Sequence, residues 1–303
     1  MDLNVAFFGT PQIAAITLKR LITTKFKPGL IVTGQDVQKS RRQKLTLTPV
    51  KKVAQENDIK ILEPQNLDEE KFIEEFVNFS PDVAILIAYG KLIPSKILAI
   101  PKHGFINIHP SLLPKYRGPS PIYQALLNGD ETTGVTIIKL DEDLDHGPII
   151  AQKELAIEGN DTHESLAKKL AILGTDLLIY ALLSYLDKSV NLGKQDHSKA
   201  VWTKKITKED GYIDLEKPPD PEKLDRMIRA FYPWPGVYTK LKMKNEKLKI
   251  IKFLHDSPFL IQPEGKRPMT IKEFLNGYPQ FYDQLKPILK SLSQQPFKGA
   301  TLL

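Results

Sequence analysis

The feature that most constrains this chain is the alternation, from Leu3 to Ala88, of short apolar runs with longer segments of helical spacing. Leu3–Phe8, Leu30–Thr33, Ile59–Leu62 and Val83–Ala88 are nearly continuous apolar runs, the pattern of strands buried on both faces. Between them, Ile13–Ile22, Pro49–Asn57 and Asp68–Phe79 carry apolar residues at the intervals that place them on one side of a helix. Strand–helix–strand units of this kind close as right-handed crossovers between parallel neighbours. The expected fold is therefore α/β, a doubly wound and mostly parallel sheet of Rossmann-like type. Gly9-Thr10-Pro11 follows the first strand as a turn, and its lone glycine is not the G-x-G-x-x-G fingerprint, which disfavours a dinucleotide cofactor.

Open sheets of this class bind ligands beyond the carboxyl ends of their strands. One such end stands out in Phe105 to Ile122, which reads F-I-N-I-H-P-S-L-L-P-K-Y-R-G-P-S-P-I. Phe105, Ile106 and Ile108 carry a strand into Pro110, Pro114, Pro119 and Pro121, where missing N–H groups stop regular pairing. Asn107 and His109 then leave the strand end on one face. A neutral amide donor and a titratable imidazole are the pair needed to hold an oxyanion and manage a proton. Taken alone, the same N-x-H also reads as a turn-forming asparagine and a half-buried histidine. Downstream, Val135–Leu140 leads into the acidic loop Asp141–Pro148, which can deliver a carboxylate to the same place.

Together, Asn107-Ile108-His109-Pro110-Ser111-Leu112-Leu113-Pro114, Arg117-Gly118, Pro121-Ile122 and Leu144-Asp145-x-Gly147 resemble the signature of the formyltransferases that use 10-formyltetrahydrofolate. Within that family, F-F-G-T-P at Phe7–Pro11, T-P-V-K-K-V-A at Thr48–Ala54, A-Y-G-K-L-I-P at Ala88–Pro94 and R-A-F-Y-P-W-P-G at Arg229–Gly236 resemble the branch that acts on methionyl-tRNA. Pro110 after the histidine is instead similar to the glycinamide ribonucleotide branch. The resemblance implies transfer of a formyl group from 10-formyltetrahydrofolate to the α-amine of methionine on initiator tRNA, with no metal. It assigns Asn107 and His109 to the oxyanion. Asp145 would hold the His109 tautomer and accept the departing proton. It places folate against Ser111, Leu112, Leu113 and Pro114, and against Tyr89 and Gly90. Two other readings remain open: formylation of a small amine such as glycinamide ribonucleotide or an amino sugar nucleotide, and a non-catalytic RNA-binding relative.

The remaining segments divide the chain. Gly34–Thr48 is a basic insertion with Lys39, Arg41, Arg42 and Lys44, which reads either as a solvated loop or, by the resemblance, as the piece that reaches the tRNA acceptor stem. Gly134–Leu140 and Ile149–Glu158 are spaced to pair antiparallel, and Thr162–Leu186 is a long helix with Leu166, Leu170, Leu173, Leu177 and Leu178 toward the core. Asp187–Lys199 is polar and aperiodic. This suggests a catalytic domain over 1–187, a linker over 188–206 and a smaller domain over 207–303. In that domain Pro221–Phe231 reads as a helix, Val237–Met243 and Leu248–Leu254 as a hairpin around Asn245-Glu246 and Phe259–Gln262 as a third strand, while Thr270–Leu275 resembles the family's final short helix. The family's counterpart is an OB-like β-barrel, and the expectation here is a shortened, barrel-like version of it.

Charge points the same way. From Lys240 onward there are 12 Lys and Arg against 5 Asp and Glu, so this segment alone carries the chain's net charge of +7. Lys240, Lys242 and Lys244 alternate and would share one strand face, suited to a phosphate backbone or, equally, to protecting an exposed strand edge. The chain has no cysteine, which removes disulfides and thiolate metal sites. No apolar run approaches the ~20 residues that span a bilayer, and Met1–Phe8 does not read as a signal peptide. The expectation is a cytoplasmic monomer with no obligate protein partner.

Overall fold

The computed structural model describes residues 3–36, 46–243, 248–254 and 260–293. The expected tRNA contacts Lys39, Arg41, Arg42, Lys44 and Lys244, and the expected turn at Asn245-Glu246, lie outside these residues. The chain forms two compact units: 1–121, 132–156 and 167–203 make the first, and 122–131, 157–166 and 204–303 the second.

In the first unit the alternating pattern becomes β1 (Val5–Phe8), α1 (Gln12–Ile22), β2 (Leu30–Val32), α2 (Pro49–Gln55), β3 (Lys60–Leu62), α3 (Glu70–Phe79), β4 (Val83–Leu86), α4 (Ser95–Leu98) and β5 (Phe105–His109). In sequence, α5 (Pro121–Asn128), β6 (Thr132–Lys139), β7 (Ile149–Ala156) and the long α6 (His163–Leu186) follow, α5 past Pro121 and the first turn of α6 falling in the second unit. The strands form one sheet in the order β3-β2-β1-β4-β5-β6-β7. Strands β1 to β5 are parallel, and β6 and β7 continue the sheet antiparallel. The order turns back on itself at β1 and β4, which is where such sheets place a ligand crevice.

The apolar runs are buried as their composition demands. Val5 to Phe8, Leu30 to Val32 and Val83 to Ile85 are all at 0% exposure. Under one face, Phe8 meets Phe76, Tyr89 and Phe105 edge-on at centroid distances of 5.0–5.5 Å. Quadrupole geometry favours such contacts beyond the area they bury.

Some expectations shift. β4 ends at Leu86, because Ala88 and Gly90 take φ of 48° and 83° and turn the chain out of the sheet. The stripe of α6 is not the expected row of leucines: Leu166, Leu170 and Leu178 are buried, but Leu173 and Leu177 are half-exposed. The positions between are filled by Ala171, Gly174 and Thr175, where the helix lies close to the sheet and Thr175 Oγ1 donates to Thr17 Oγ1 at 3.0 Å. The helix α5 was masked by its prolines, although Pro121 at its first position costs no hydrogen bond.

The second unit contains α7 (Pro221–Ala230), β8 (Val237–Lys242), β9 (Leu248–Leu254), β10 (Leu260–Pro263), α8 (Ile271–Gly277) and α9 (Tyr282–Ser293). Asp220 caps α7 through Lys223 N, and Thr270 and Glu273 form a reciprocal capping box on α8. Among the described residues the strands form a small three-stranded antiparallel sheet, β10-β9-β8, the shortened carboxyl-terminal domain expected from the sequence. Buried Leu241, Ile251, Phe253, Phe274, Phe281, Leu285 and Ile288 make its core. Helix α9 was not anticipated, because Pro287 interrupts its pattern.

Candidate active site

Strand β5 sits inside the sheet, parallel to β4 and antiparallel to β6, so both of its edges are paired and all five residues are buried. Period-2 alternation puts Asn107 and His109 on the same face. Asp145 reaches them from the β6–β7 loop and is itself only 6% exposed. Its Oδ1 accepts from Asn107 Nδ2 at 3.3 Å and lies 3.5 Å from His109 Nδ1. Its Oδ2 accepts from Gly118 N at 2.8 Å. One carboxylate thus gathers three segments that the sequence holds apart.

The glycines of the motifs have steric reasons. At Gly147 a Cβ would overlap the carbonyl oxygen of Lys139, so the turn that presents Asp145 closes only without a side chain. Gly118 takes φ of 102°, and a Cβ there would lie 2.9 Å from Thr203 O. Asp145 itself sits at φ 49°, a left-handed conformation that a non-glycine residue holds only when its surroundings enforce it.

The carbonyl of Tyr116 accepts from His109 Nε2 at 3.0 Å. The Tyr116 carbonyl therefore shares in orienting a ring whose tautomer the sequence reading assigns to Asp145 alone. Nδ1 is the ring nitrogen turned toward Asp145. Imidazole and carboxylate thus lie side by side, an arrangement suited to passing a proton.

The Ser111–Pro114 loop is held by residues that the motifs do not include. Thr136 Oγ1 donates to Ser111 O at 2.6 Å and accepts from Leu113 N at 3.0 Å and from Gln152 Nε2 at 2.8 Å. Gln152 Nε2 also donates to Leu113 O at 3.0 Å. Ser111 is fully buried, with its hydroxyl on Lys115 O, and Leu113 is buried too. Leu112 and Pro114 keep exposed surface and remain available to a ligand. Tyr89 is placed differently from its expected role: its side chain is buried in the apolar cluster against Phe8, and burial pushes its phenol pKa up. Only the backbone of Tyr89 and the exposed Gly90 are left for a ligand. Thr136 and Gln152 are opposite each other on β6 and β7, a pairing that no local pattern announces.

In the second unit, Lys240 and Lys242 are exposed on β8 while Thr239 and Leu241, which alternate with them, are fully buried. Lys240 Nζ lies 5.6 Å from the centre of the Tyr212 ring, and Lys208 Nζ 5.9 Å from that of Tyr238. Ile213 N donates to Tyr238 O at 2.8 Å, and the Gln284 side chain bonds both N and O of Lys242 at 2.8 and 2.9 Å, so the outer edge of β8 is covered at Tyr238 and at Lys242.

Residues 3–182 match the family described as formyl transferase, and residues 205–258 match the formyl transferase C-terminal domain. The chain is 38% identical over 302 residues to the methionyl-tRNA formyltransferase of Thermodesulfovibrio yellowstonii, covering 91% of this chain and 96% of the relative. It is 40% identical over 234 residues to the methionyl-tRNA formyltransferase of Thermotoga maritima, covering 77% and 74%. Among solved structures, a 4-N formyltransferase from Francisella tularensis shares the fold at a TM-score of 0.64 and 18% identity, over 83% of this chain and 97% of that one. With the motif residues gathered on one carboxylate and both family patterns matched in order, the chain belongs to the formyl transferase family.

Proposed function

We propose that this protein transfers the formyl group of 10-formyltetrahydrofolate to the α-amine of methionine esterified to initiator tRNA. The observation that carries the reading is the convergence of Asn107 and His109 on the buried carboxylate of Asp145 at the end of an inner strand. The printed names of relatives that match across both units support the tRNA-directed branch.

The amine must be neutral to attack, and an α-amino group with a pKa of about 7.7–8 needs little help. Its nitrogen bonds to the formyl carbon, and the carbonyl oxygen becomes an oxyanion. Asn107 Nδ2 spends one N–H on Asp145 and has a second for that oxygen. His109 can join it by exchanging the Tyr116 carbonyl for the oxyanion. Each such donor typically contributes about 3–4 kcal/mol to the transition state. As the bond from the formyl carbon to folate N10 breaks, N10 gains a proton and the former amine loses one, which Asp145 accepts directly, through His109 or through water. The half-exposed apolar surfaces of Leu112 and Pro114 suit the face of a pterin ring.

For the tRNA, Lys240 and Lys242 with the basic 34–48 insertion are the proposed phosphate contacts. Edge protection is a weaker account of Lys242, since Ile213 and Gln284 already cover the edge of β8 at Tyr238 and Lys242. No helix of the described residues is long and apolar enough to cross a membrane. A cytoplasmic location, suited to the proposed substrates, and a monomeric state are part of the same proposal. Incubation with 10-formyltetrahydrofolate and, in parallel, methionyl-tRNA or glycinamide ribonucleotide tests the reading. Formylmethionyl-tRNA is expected, and formylation of glycinamide ribonucleotide alone would overturn it.

A further inference from the structure

The polar stretch read from sequence as a linker lies along the first unit and is bonded into it. Gly193 exchanges two backbone hydrogen bonds with Ile149, both at 2.8 Å. Val201 N donates to Pro114 O at 3.2 Å, Arg117 N to Val201 O at 2.8 Å and Thr203 N to Arg117 O at 2.8 Å. Between these anchors, Gln195 turns inward and is only 6% exposed. Its Nε2 donates to Asp145 O at 3.0 Å and to Gly147 O at 2.7 Å. Its Oε1 accepts from Arg117 Nε at 3.2 Å and Nη2 at 2.6 Å. Arg117 is 3% exposed, and its Nη2 also donates to His197 Nδ1 at 2.8 Å.

A primary amide is the one neutral side chain that can do both things at once, giving two N–H bonds and accepting from a guanidinium. It does so at a place that needs holding. Asp145 is a non-glycine residue at positive φ, and Arg117 precedes the glycine whose N–H orients the Asp145 carboxylate. Gln195 therefore ties the loop that carries the carboxylate to the loop that aims it. We infer that Gln195 is a positioning residue of the formyl-transfer site, fixing Asp145 from the segment outside the catalytic motifs. This rests on the function proposed above for its kinetic consequence, though not for its structural one.

Two substitutions separate the roles. Gln195→Leu removes both sets of bonds at similar volume. Gln195→Glu keeps an acceptor for Arg117 but faces the Asp145 and Gly147 carbonyls with a carboxylate in place of an N–H donor. If Gln195 positions Asp145, both variants lower kcat by about 10- to 100-fold, as small misplacements of a reacting group do. KM for both substrates stays within about threefold, because substrate binding is untouched. In an Asp145→Ala background, Gln195→Glu adds little further loss, since the two act through one group. Hydrogen exchange by mass spectrometry at 141–148 quickens in both variants, whatever the substrate. Near-wild-type kcat for folded Gln195→Glu, with unchanged exchange at 141–148, overturns the inference and leaves Gln195 as an anchor for Arg117. Should Gln195→Leu not fold, Gln195→Glu carries the test. Should the wild type fail to formylate methionyl-tRNA, the proposed function falls, while the exchange comparison still decides the positioning role.

Discussion

Thr136→Val tests how the Ser111–Pro114 loop is held. The substitution keeps shape and volume, so no cavity opens, but it removes a hydroxyl that makes three hydrogen bonds, to Ser111 O, Leu113 N and Gln152 Nε2. Gln152 Nε2 keeps a second acceptor in Leu113 O. Leu113 N and Ser111 O lose the Thr136 partner at a fully buried position. Leaving a buried backbone group unpaired costs about 1–3 kcal/mol, so the two together predict a loss of roughly 3–4 kcal/mol in unfolding free energy. Urea unfolding of wild type and variant reads this directly. Gln152→Leu, which spares the Thr136 bonds to the backbone and, among backbone groups, takes a partner only from Leu113 O, should cost less, about 1–2 kcal/mol. Because Leu112 and Pro114 lie on the same loop, the KM for 10-formyltetrahydrofolate should rise in Thr136→Val while that for methionyl-tRNA holds. A variant within about 1 kcal/mol of wild type and with unchanged folate KM would refute the argument.

Asn107→Ala and Asp145→Ala should each lower the formylation rate by at least about two orders of magnitude with folding intact, by circular dichroism; near-normal turnover would remove that residue from the mechanism. Replacing Lys240 and Lys242 by Gln should raise the tRNA KM and reduce the salt slope of tRNA binding by up to about 0.7–0.9 log units per lost contact, leaving kcat at saturation unchanged. A wild-type salt slope would remove these lysines from the tRNA site. In the second unit, His163 stacks on Tyr123 at 3.9 Å, and burial lowers its pKa from 6.5 to about 4. The unfolded chain binds this proton first, so stability is lost as pH falls from 6.5 toward 4, by about 3 kcal/mol at most, and His163→Phe should flatten that limb. An unchanged acid limb in His163→Phe would show that other groups set it.

Much of this architecture was legible because its signals are local. A strand buried on both faces must be apolar along its length, and a helix on a sheet must be apolar at its own period, so β1 to β5 and α1 to α3 follow from composition and spacing. The N-x-H pair is legible for the same reason, since alternation alone puts Asn107 and His109 on one face. Asp145 and its glycine were legible only through the resemblance. Helices α5 and α9 were not legible, because prolines at their start or middle outweighed the periodicity. What sequence could not determine were relations between distant positions. Thr136 and Gln152 look like ordinary strand residues until β6 and β7 pair them across the sheet. Tyr89 sits in a family motif, yet the turn after β4 sends its ring into the core. Gln195 lies in a polar, aperiodic stretch, the composition of a linker, and becomes part of the site only because the chain returns to pair with Ile149 and Arg117. Amides and hydroxyls leave no periodic trace, and their hydrogen bonds are decided by where the folded backbone brings their partners.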